Sequence, residues 1–170
     1  DLDHIILAAT RGLDLARLEY PHVRAGLILM MDRTFDARQN EVIVDKAVRY
    51  ATERVVFDRP IGQNQGIQFP IARAHVNVQA ADLMRYRACA MFDAGRPCGA
   101  EANMAKLLAA DASWEAANVC VQTHGGFGFA AEYDIERKFR ETRLYQVAPI
   151  STNLIYAYVA EHILGLPRSY

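Results

Sequence analysis

Apolar residues recur every three or four positions along most of the chain, which is the period of an amphipathic helix. The pattern is clear from Glu41 onward and breaks at Arg59-Pro60-Ile61-Gly62, a composition typical of a turn. We therefore predict a helix near residues 41–57. Its apolar positions are Val44, Ala47, Val48, Ala51 and Val55.

Two longer helices are predicted after that turn, at residues 65–94 and 100–123. The first carries apolar residues at helical spacing, with Pro70 in its first turns, where proline is best tolerated. The second is rich in alanine, a residue that lets neighbouring helices approach closely. Gly95 to Gly99 forms the loop between them, and Gly125-Gly126 ends the second helix.

A shorter helix is predicted at residues 132–140 and a last one at 151–164. Ser151 or Thr152 can cap the last helix, and a glycine and a proline follow its end, in the order expected there. No strand alternation is convincing. The fold class is therefore an all-α, up-and-down helical bundle over residues 41–170, preceded by a poorly readable N-terminal helical segment, residues 1–40.

Composition excludes several classes of function. The 170-residue chain has a formal net charge of -1, so nothing favours binding to nucleic acid. No apolar run is long enough to span a membrane, and no signal peptide is evident. We expect a cytoplasmic protein, or one of the mitochondrial matrix if it is eukaryotic. No metal site is predicted, and Cys89, Cys98 and Cys120 are expected to be buried thiols.

Two turn regions could carry chemistry. Arg54 and Arg59 lie near the first turn and could bind a pyrophosphate, although solvated surface arginines are the simpler interpretation. After the alanine-rich helix, paired glycines free the backbone to approach a ligand, and the Gln122 amide could read a nucleotide edge, although a plain helix stop explains the same residues. His124 is expected to satisfy local hydrogen bonds rather than to act chemically.

Together these segments resemble the C-terminal domain of acyl-CoA dehydrogenases. Each motif alone is weak, but all occur in the family's order and with its spacings across residues 41–170. They are Arg54-x-x-Phe57, Pro60-Ile61-Gly62-x-x-Gln65, Met104-Ala105-Lys106, Gln122-x-x-Gly125-Gly126-x-Gly128 and Glu136-Arg137-x-x-Arg140.

The resemblance implies a flavoprotein oxidoreductase of fatty acid metabolism. FAD would take a hydride from the β carbon of an acyl-CoA after loss of the α proton, and would pass electrons to an electron-transfer flavoprotein. The domain would assemble into dimers or tetramers, with FAD contacted from the neighbouring subunit. The family positions that touch FAD correspond to Arg54, Phe57, Gln65, Gln122, Gly125 and Gly126.

The chain departs from the family at the general base, which must be a carboxylate. Pro149 occupies the usual glutamate position, and Ala16 occupies the alternative one in Leu13-Asp14-Leu15-Ala16-Arg17. The catalytic residue is therefore unknown, and Asp14, Glu19 and Glu41 stay unassigned. Asp58, where glycine is usual, would weaken a nearby anion site unless an arginine pairs with it.

Three interpretations remain open. The first is an acyl-CoA dehydrogenase domain that is inactive as an isolated chain. The second is a non-catalytic helical assembly or nucleotide-binding module of dehydrogenase descent. The third is a relative that uses the fold for another flavin reaction.

Overall fold

The computed structural model describes residues 37–148 and 150–168. Single turns of 3₁₀-helix link several elements, and a π-helical turn, Val159–Ile163, extends the last helix. The main elements are helix α1 (Ala37–Glu53), strands β1 (Val55–Val56) and β2 (Arg59–Pro60), and helices α2 (Gln65–Asp93), α3 (Gly99–His124), α4 (Ile135–Val147) and α5 (Thr152–Tyr158).

Helix α3 lies at the centre of the bundle and packs against α1, α2, α4 and α5. Small side chains make this possible, because they let several helix backbones approach one axis. The all-α bundle and the packing role of the alanine-rich helix are thus confirmed. The buried small residues of α3 are Ala102, Ala105, Ala110, Ala112, Ser113, Ala116, Ala117 and Cys120.

Two clusters of buried apolar residues hold the helices together. The larger cluster joins α1, α2 and α3 to the start of α4, with Ile43, Val78 and Ile135 among its most buried members. The smaller one joins the end of α2 to α5 through Ile150 and Ile155. All three cysteines are free and buried, as predicted.

The first helix differs from its prediction at both ends. It begins at Ala37 and ends at Glu53, and the two strands that follow pair as a tight antiparallel hairpin. Phe57 and Asp58 form the turn of this hairpin with φ of 52° and 61°, the conformation of hairpin turns that suit the twist of paired strands. The prediction without strands was wrong here, because the β-branched pair at Val55–Val56 favours extended backbone.

The last two helices also differ from their predictions. Asp134 takes a left-handed conformation, so α4 begins at Ile135 and not at residue 132. It runs on to Val147 because its end is fixed to α3 by Lys106, whose Nζ donates to the carbonyl of Tyr145. Ser151 caps α5 by accepting a bond from the Leu154 amide at 3.4 Å. Regular α-helix then ends at Tyr158, before the π-helical turn.

Gly62 allows the tight contact between the hairpin segment and α1. A Cβ at this position would lie 2.9 Å from the carbonyl oxygen of Ala51, and the backbone there cannot yield cheaply. We expect Gly62→Ala to lower the free energy of unfolding by about 1–3 kcal/mol, measured by urea denaturation. Gly66→Ala is the matched control, because nothing lies within 4 Å of its Cβ position. Equal losses in both variants would contradict this packing.

Candidate functional site

An open pocket of about 450 Å³ lies where the C-terminal ends of α1 and α3 meet. The hairpin and the 3₁₀ turn after α3 form its other walls. The pocket is where the two turn regions singled out in the sequence come together. Its lining residues are Tyr50, Arg54, Val56, Ile61, Gln122, Thr123, His124, Gly125, Gly126 and Phe127.

Arg54 is held at the junction of α1 and the hairpin by its backbone. Its amide donates to the carbonyl of Tyr50 and its carbonyl accepts from the Ile61 amide, both at 2.9 Å. The guanidinium carbon lies 5.8 Å from the centroid of the Phe127 ring, within the range of a cation–π contact. Among the described residues no carboxylate forms an ion pair with Arg54, so its charge is available to an anion.

The paired glycines after α3 expose their backbone to the pocket. Gly125 has a φ of 58°, which glycine adopts without steric cost, and its amide closes α3 by bonding to the carbonyls of Gln122 and Val121. A Cβ on Gly125 or Gly126 would meet nothing within 4 Å. A ligand can therefore approach the main chain here, while the side chain of Gln122 stays exposed beside it.

His124 is part of the framework beneath the pocket. Its Nδ1 lies 2.8 Å from the carbonyl oxygen of Cys120. Because a carbonyl only accepts, the neutral ring carries its proton on Nδ1. The ring is 5% exposed and stacks on Tyr50 with centroids 4.1 Å apart. The predicted role in local hydrogen bonding is confirmed.

Tyr50 lines the pocket and Tyr133 packs against its lining residues, and the sequence analysis missed both. The Tyr133 ring stands edge-on to both Tyr50 and His124, with centroids 6.0 Å and 5.8 Å away, and lies 5.4 Å from that of Phe127. Lys46 on α1 donates to the Tyr133 carbonyl at 3.1 Å. Tyr50 lies one helical turn before Arg54, and this spacing could have indicated that both face the same site. Nothing in the local sequence pointed to Tyr133.

Four of the six residues predicted to bind FAD lie together in this pocket, namely Arg54, Gln122, Gly125 and Gly126. The other two do not line it. Phe57 projects from the tip of the hairpin and is 93% exposed. Gln65 is the exposed first residue of α2.

Asp58 and Arg59 do not pair with each other. Arg59 Nη2 donates to Asn64 Oδ1 at 2.9 Å, and Asp58 has no ion-pair partner among the residues described. Asp58 occupies a left-handed turn position that favours glycine and tolerates aspartate. This explains in physical terms how aspartate can stand at a position where glycine is usual.

The positions considered for a catalytic base lie mostly outside the described residues, which exclude Asp14, Ala16, Glu19 and Pro149. Glu41 is described and lies near the start of α1, roughly 20 Å along the helix from Arg54, where Gln79 approaches it at 3.5 Å. It is therefore remote from the pocket.

The described residues provide neither a metal-binding cluster nor a membrane-spanning helix. No three histidine, cysteine, aspartate or glutamate side chains between residues 37 and 168, Pro149 apart, cluster closely enough to hold a metal ion. No helix within the same residues is long and apolar enough to cross a membrane.

Burial makes the framework beneath the pocket sensitive to acid. Desolvation lowers the pKa of His124 below its ordinary value, and the charge of Lys46 lowers it further, against the opposing effect of the bond to Cys120. The unfolded chain therefore binds a proton more readily than the folded one, so stability is lost as the pH falls below the unfolded pKa of about 6.5.

We expect the free energy of unfolding to decrease between about pH 7.5 and about pH 5.5, with a smaller decrease in a His124→Phe variant, which keeps an aromatic ring against Tyr50. His75→Gln serves as the control, because His75 is exposed on α2. Urea denaturation across this pH range measures the effect. A slope that changes in the His75 variant and not in the His124 variant would contradict the assignment.

Comparison with known proteins places this geometry in a family. The sequence profile "Acyl-CoA dehydrogenase, C-terminal domain" matches residues 11–164. The match begins well before residue 41, where the motif resemblance starts. The chain is 42% identical over 173 aligned residues to "Acyl-CoA dehydrogenase fadE12" of Mycobacterium bovis, covering 99% of this chain and 45% of the relative.

Two further matches are a solved structure and a reductase subunit. The glutaryl-coenzyme A dehydrogenase complex with glutaryl-CoA superposes with a TM-score of 0.74 at 33% identity, over 78% of this chain and 34% of that one. "Caffeyl-CoA reductase-Etf complex subunit CarC" of Acetobacterium woodii is 36% identical over 61% of this chain and 27% of its own length.

In each comparison the chain spans less than half of the other protein's length. The profile match nevertheless covers most of this chain, and the helical architecture agrees with the solved structure. The chain belongs to the acyl-CoA dehydrogenase family and corresponds to the C-terminal helical domain of that family.

Proposed function

We propose that this chain is the C-terminal domain of an FAD-dependent acyl-CoA dehydrogenase, and that its pocket holds the phosphate portion of FAD. The observation that carries the proposal is the convergence of Arg54, Gln122 and the Gly125-Gly126 backbone on one pocket. When bound, FAD would supply the acceptor for the hydride that leaves the β carbon of an acyl-CoA.

The residues present fit such a group. A pyrophosphate requires a cation, and the Arg54 guanidinium has no ion-pair partner among the described residues. It also requires close approach to the main chain, which the open space above Gly125 and Gly126 permits. Arginine can bind phosphate oxygens in bidentate fashion, and the Phe127 ring at 5.8 Å restricts where the guanidinium can lie.

The two predicted residues outside the pocket support a site shared between subunits. Phe57 is almost fully exposed, and a bulky residue with positive φ is strained, so the hairpin presents it outward at a conformational cost. Gln65 is likewise exposed at the start of α2. Both would contact FAD carried by a neighbouring subunit in a dimer or tetramer.

The wider partners of the whole protein follow from the same proposal. An acyl-CoA thioester would be the substrate, as the names of the mycobacterial and glutaryl-CoA relatives indicate for those proteins. The reduced flavin must lose two electrons after each turnover. An electron-transfer flavoprotein would accept them, and the relative named as part of an Etf complex supports this assignment.

The isolated chain fits a second description, a nucleotide-binding and assembly module without catalysis. Pro149 cannot accept a proton at the family's usual base position, and Ala16 cannot do so at the alternative one. The remaining portion of the relatives' length, more than half, has no counterpart in this chain. Binding of the cofactor and chemistry on the substrate are therefore separable properties.

We expect Arg54→Ala to weaken FAD binding by roughly 1.5–3 kcal/mol, the scale of a charge-assisted hydrogen bond. Arg49→Ala is the matched control, since Arg49 is also an exposed arginine of this region but pairs with Glu53 at 2.9 Å. His124→Ala should weaken binding less, because the ring is only 5% exposed and is stacked on Tyr50. Fluorescence titration of FAD with each variant measures the dissociation constants.

The order of the losses in FAD affinity among the variants tests the proposal. A larger loss for His124→Ala than for Arg54→Ala, at matched helical content by circular dichroism, would show that FAD does not lie on Arg54. Equal losses of FAD affinity for Arg54→Ala and Arg49→Ala would show that the effect comes from the lost positive charge in general and not from a direct contact with Arg54.

We also expect the chain alone to be unable to dehydrogenate acyl-CoA. Loss of a general base typically lowers a rate by about 10²–10⁴-fold, and the segments that would enclose the thioester are not provided by the described residues. A dye-reduction assay with FAD and acyl-CoAs of several chain lengths measures turnover. Turnover well above a flavin-only blank would refute the expectation and direct attention to Asp14, Glu19 and Glu41, each of which would then be changed to its amide.

A further inference from the structure

A short connector, residues 125–133, leads from α3 towards α4 and forms one wall of the candidate pocket. It contains two 3₁₀ turns, Gly125–Phe129 and Ala131–Tyr133. The first turn packs tightly on α3, since a Cβ at Gly128 would lie 2.9 Å from the Val121 carbonyl oxygen. The second turn is held by a contact with α1.

Three side chains along α1 and just beyond its end face this connector. Lys46, Tyr50 and Arg54 are spaced four residues apart, which places them on one side of a helix. Lys46 Nζ donates to the Tyr133 carbonyl at 3.1 Å. The Tyr50 ring meets the Tyr133 ring edge-on, and the guanidinium of Arg54 lies over the Phe127 ring. Of these three contacts, that of Lys46 is made to the main chain of the connector.

The hydrogen bond of Lys46 affects Arg54 through two aromatic rings. The Tyr133 ring lies 5.4 Å from that of Phe127, and the Phe127 centroid lies 5.8 Å from the guanidinium carbon. The main chain couples the same two residues, because the Tyr133 amide donates to Ala130 and the Ala130 amide donates to Phe127. A displaced Tyr133 carbonyl would therefore shift the ring beside the guanidinium, whose bidentate binding of phosphate depends on its orientation.

We propose that Lys46 is a positioning residue of the cofactor pocket, which acts by holding the Tyr133 carbonyl and so fixing the ring that orients Arg54. The inference rests on the proposed function and deepens it, because it names a residue outside the pocket lining that governs affinity for the cofactor. Lys46 forms no ion pair with a carboxylate among the described residues, so its ammonium group is committed to the connector. Its charge also acts beneath the pocket, since the pKa of His124, which burial lowers, is lowered further by Lys46.

Substitution of Lys46 tests the proposal through the affinity for FAD. Lys46→Met keeps the length of the side chain and removes its charge and its donor, so FAD affinity should fall on the order of 10-fold, the scale of one hydrogen bond. Lys46→Arg should keep the affinity within about 3-fold of the wild type, because a guanidinium can donate to the same carbonyl. Fluorescence titration of FAD with the full chain measures both dissociation constants.

Arg49→Met is the matched control, because Arg49 lies on the same helix, is exposed and pairs with Glu53. It removes the same charge but no hydrogen bond to the connector, and FAD affinity should not change. A double-mutant cycle then shows whether Lys46 acts through Arg54. If it does, Lys46→Met should cause no further loss in a chain that already carries Arg54→Ala. Losses that multiply, or a Lys46→Met variant that binds FAD as well as Arg49→Met does, would overturn the positioning role.

Amide hydrogen exchange measures the hold of Lys46 on the connector without any cofactor. The amides of Tyr133 and Asp134 donate to the carbonyls of Ala130 and Ala131. Lys46→Met should speed their exchange on the order of 10-fold, whereas Lys46→Arg and Arg49→Met should leave it unchanged. Circular dichroism should show equal helical content in all the variants. Exchange that is the same in Lys46→Met and the wild type would show that Lys46 does not hold the connector, and would overturn the proposal.

The two measurements separate the failure of this inference from the failure of the proposed function. A wild-type chain that binds no FAD, although its connector exchanges faster in Lys46→Met, removes the proposed cofactor role and with it the positioning role, and keeps only the structural contact. A chain whose FAD affinity is the same before and after Lys46→Met keeps the cofactor role and removes the positioning role.

Discussion

The fold depends on the close approach that small side chains allow around α3. Its buried positions are alanines, a serine and a cysteine, so α1, α2 and α4 can pack on it from several directions. Burial raises the pKa of the Cys120 thiol to about 12, which keeps it protonated and apolar in character. A larger residue at these positions would separate the helices and displace the ends that form the pocket.

An aromatic contact links the helix packing of the core to the pocket. The stack of Tyr50 on His124 joins the last turn of α1 to the last turn of α3. Arg54 follows one turn after Tyr50, and Gly125 follows directly after His124. Packing beneath the pocket therefore sets the distance between Arg54 on one side and the Gly125 backbone on the other. The pocket is preorganised as a result.

The helices and the two turn regions could be predicted from sequence because their signals are local. Periodicity located α2 and α3 closely, and the pairing of Gly125 with Gly126 marked a place of backbone access. Two-residue strands carry no period, so Val55 was counted as one more helical position although it is exposed on the hairpin. Tyr133 reaches the site only through tertiary packing, which no pattern along the chain encodes.

The residues on either side of position 149 bear on the proposed division between cofactor binding and chemistry. Its flanks are fixed: the Ala148 amide bonds to the Leu144 carbonyl at 2.9 Å, Ile150 is buried in the smaller core cluster, and the end of α4 is held to α3 through Lys106 and Gln146. The family resemblance puts Pro149 where the usual base is a glutamate, and proline cannot accept a proton. For the proposed reaction, the proton acceptor therefore has to come from a different position.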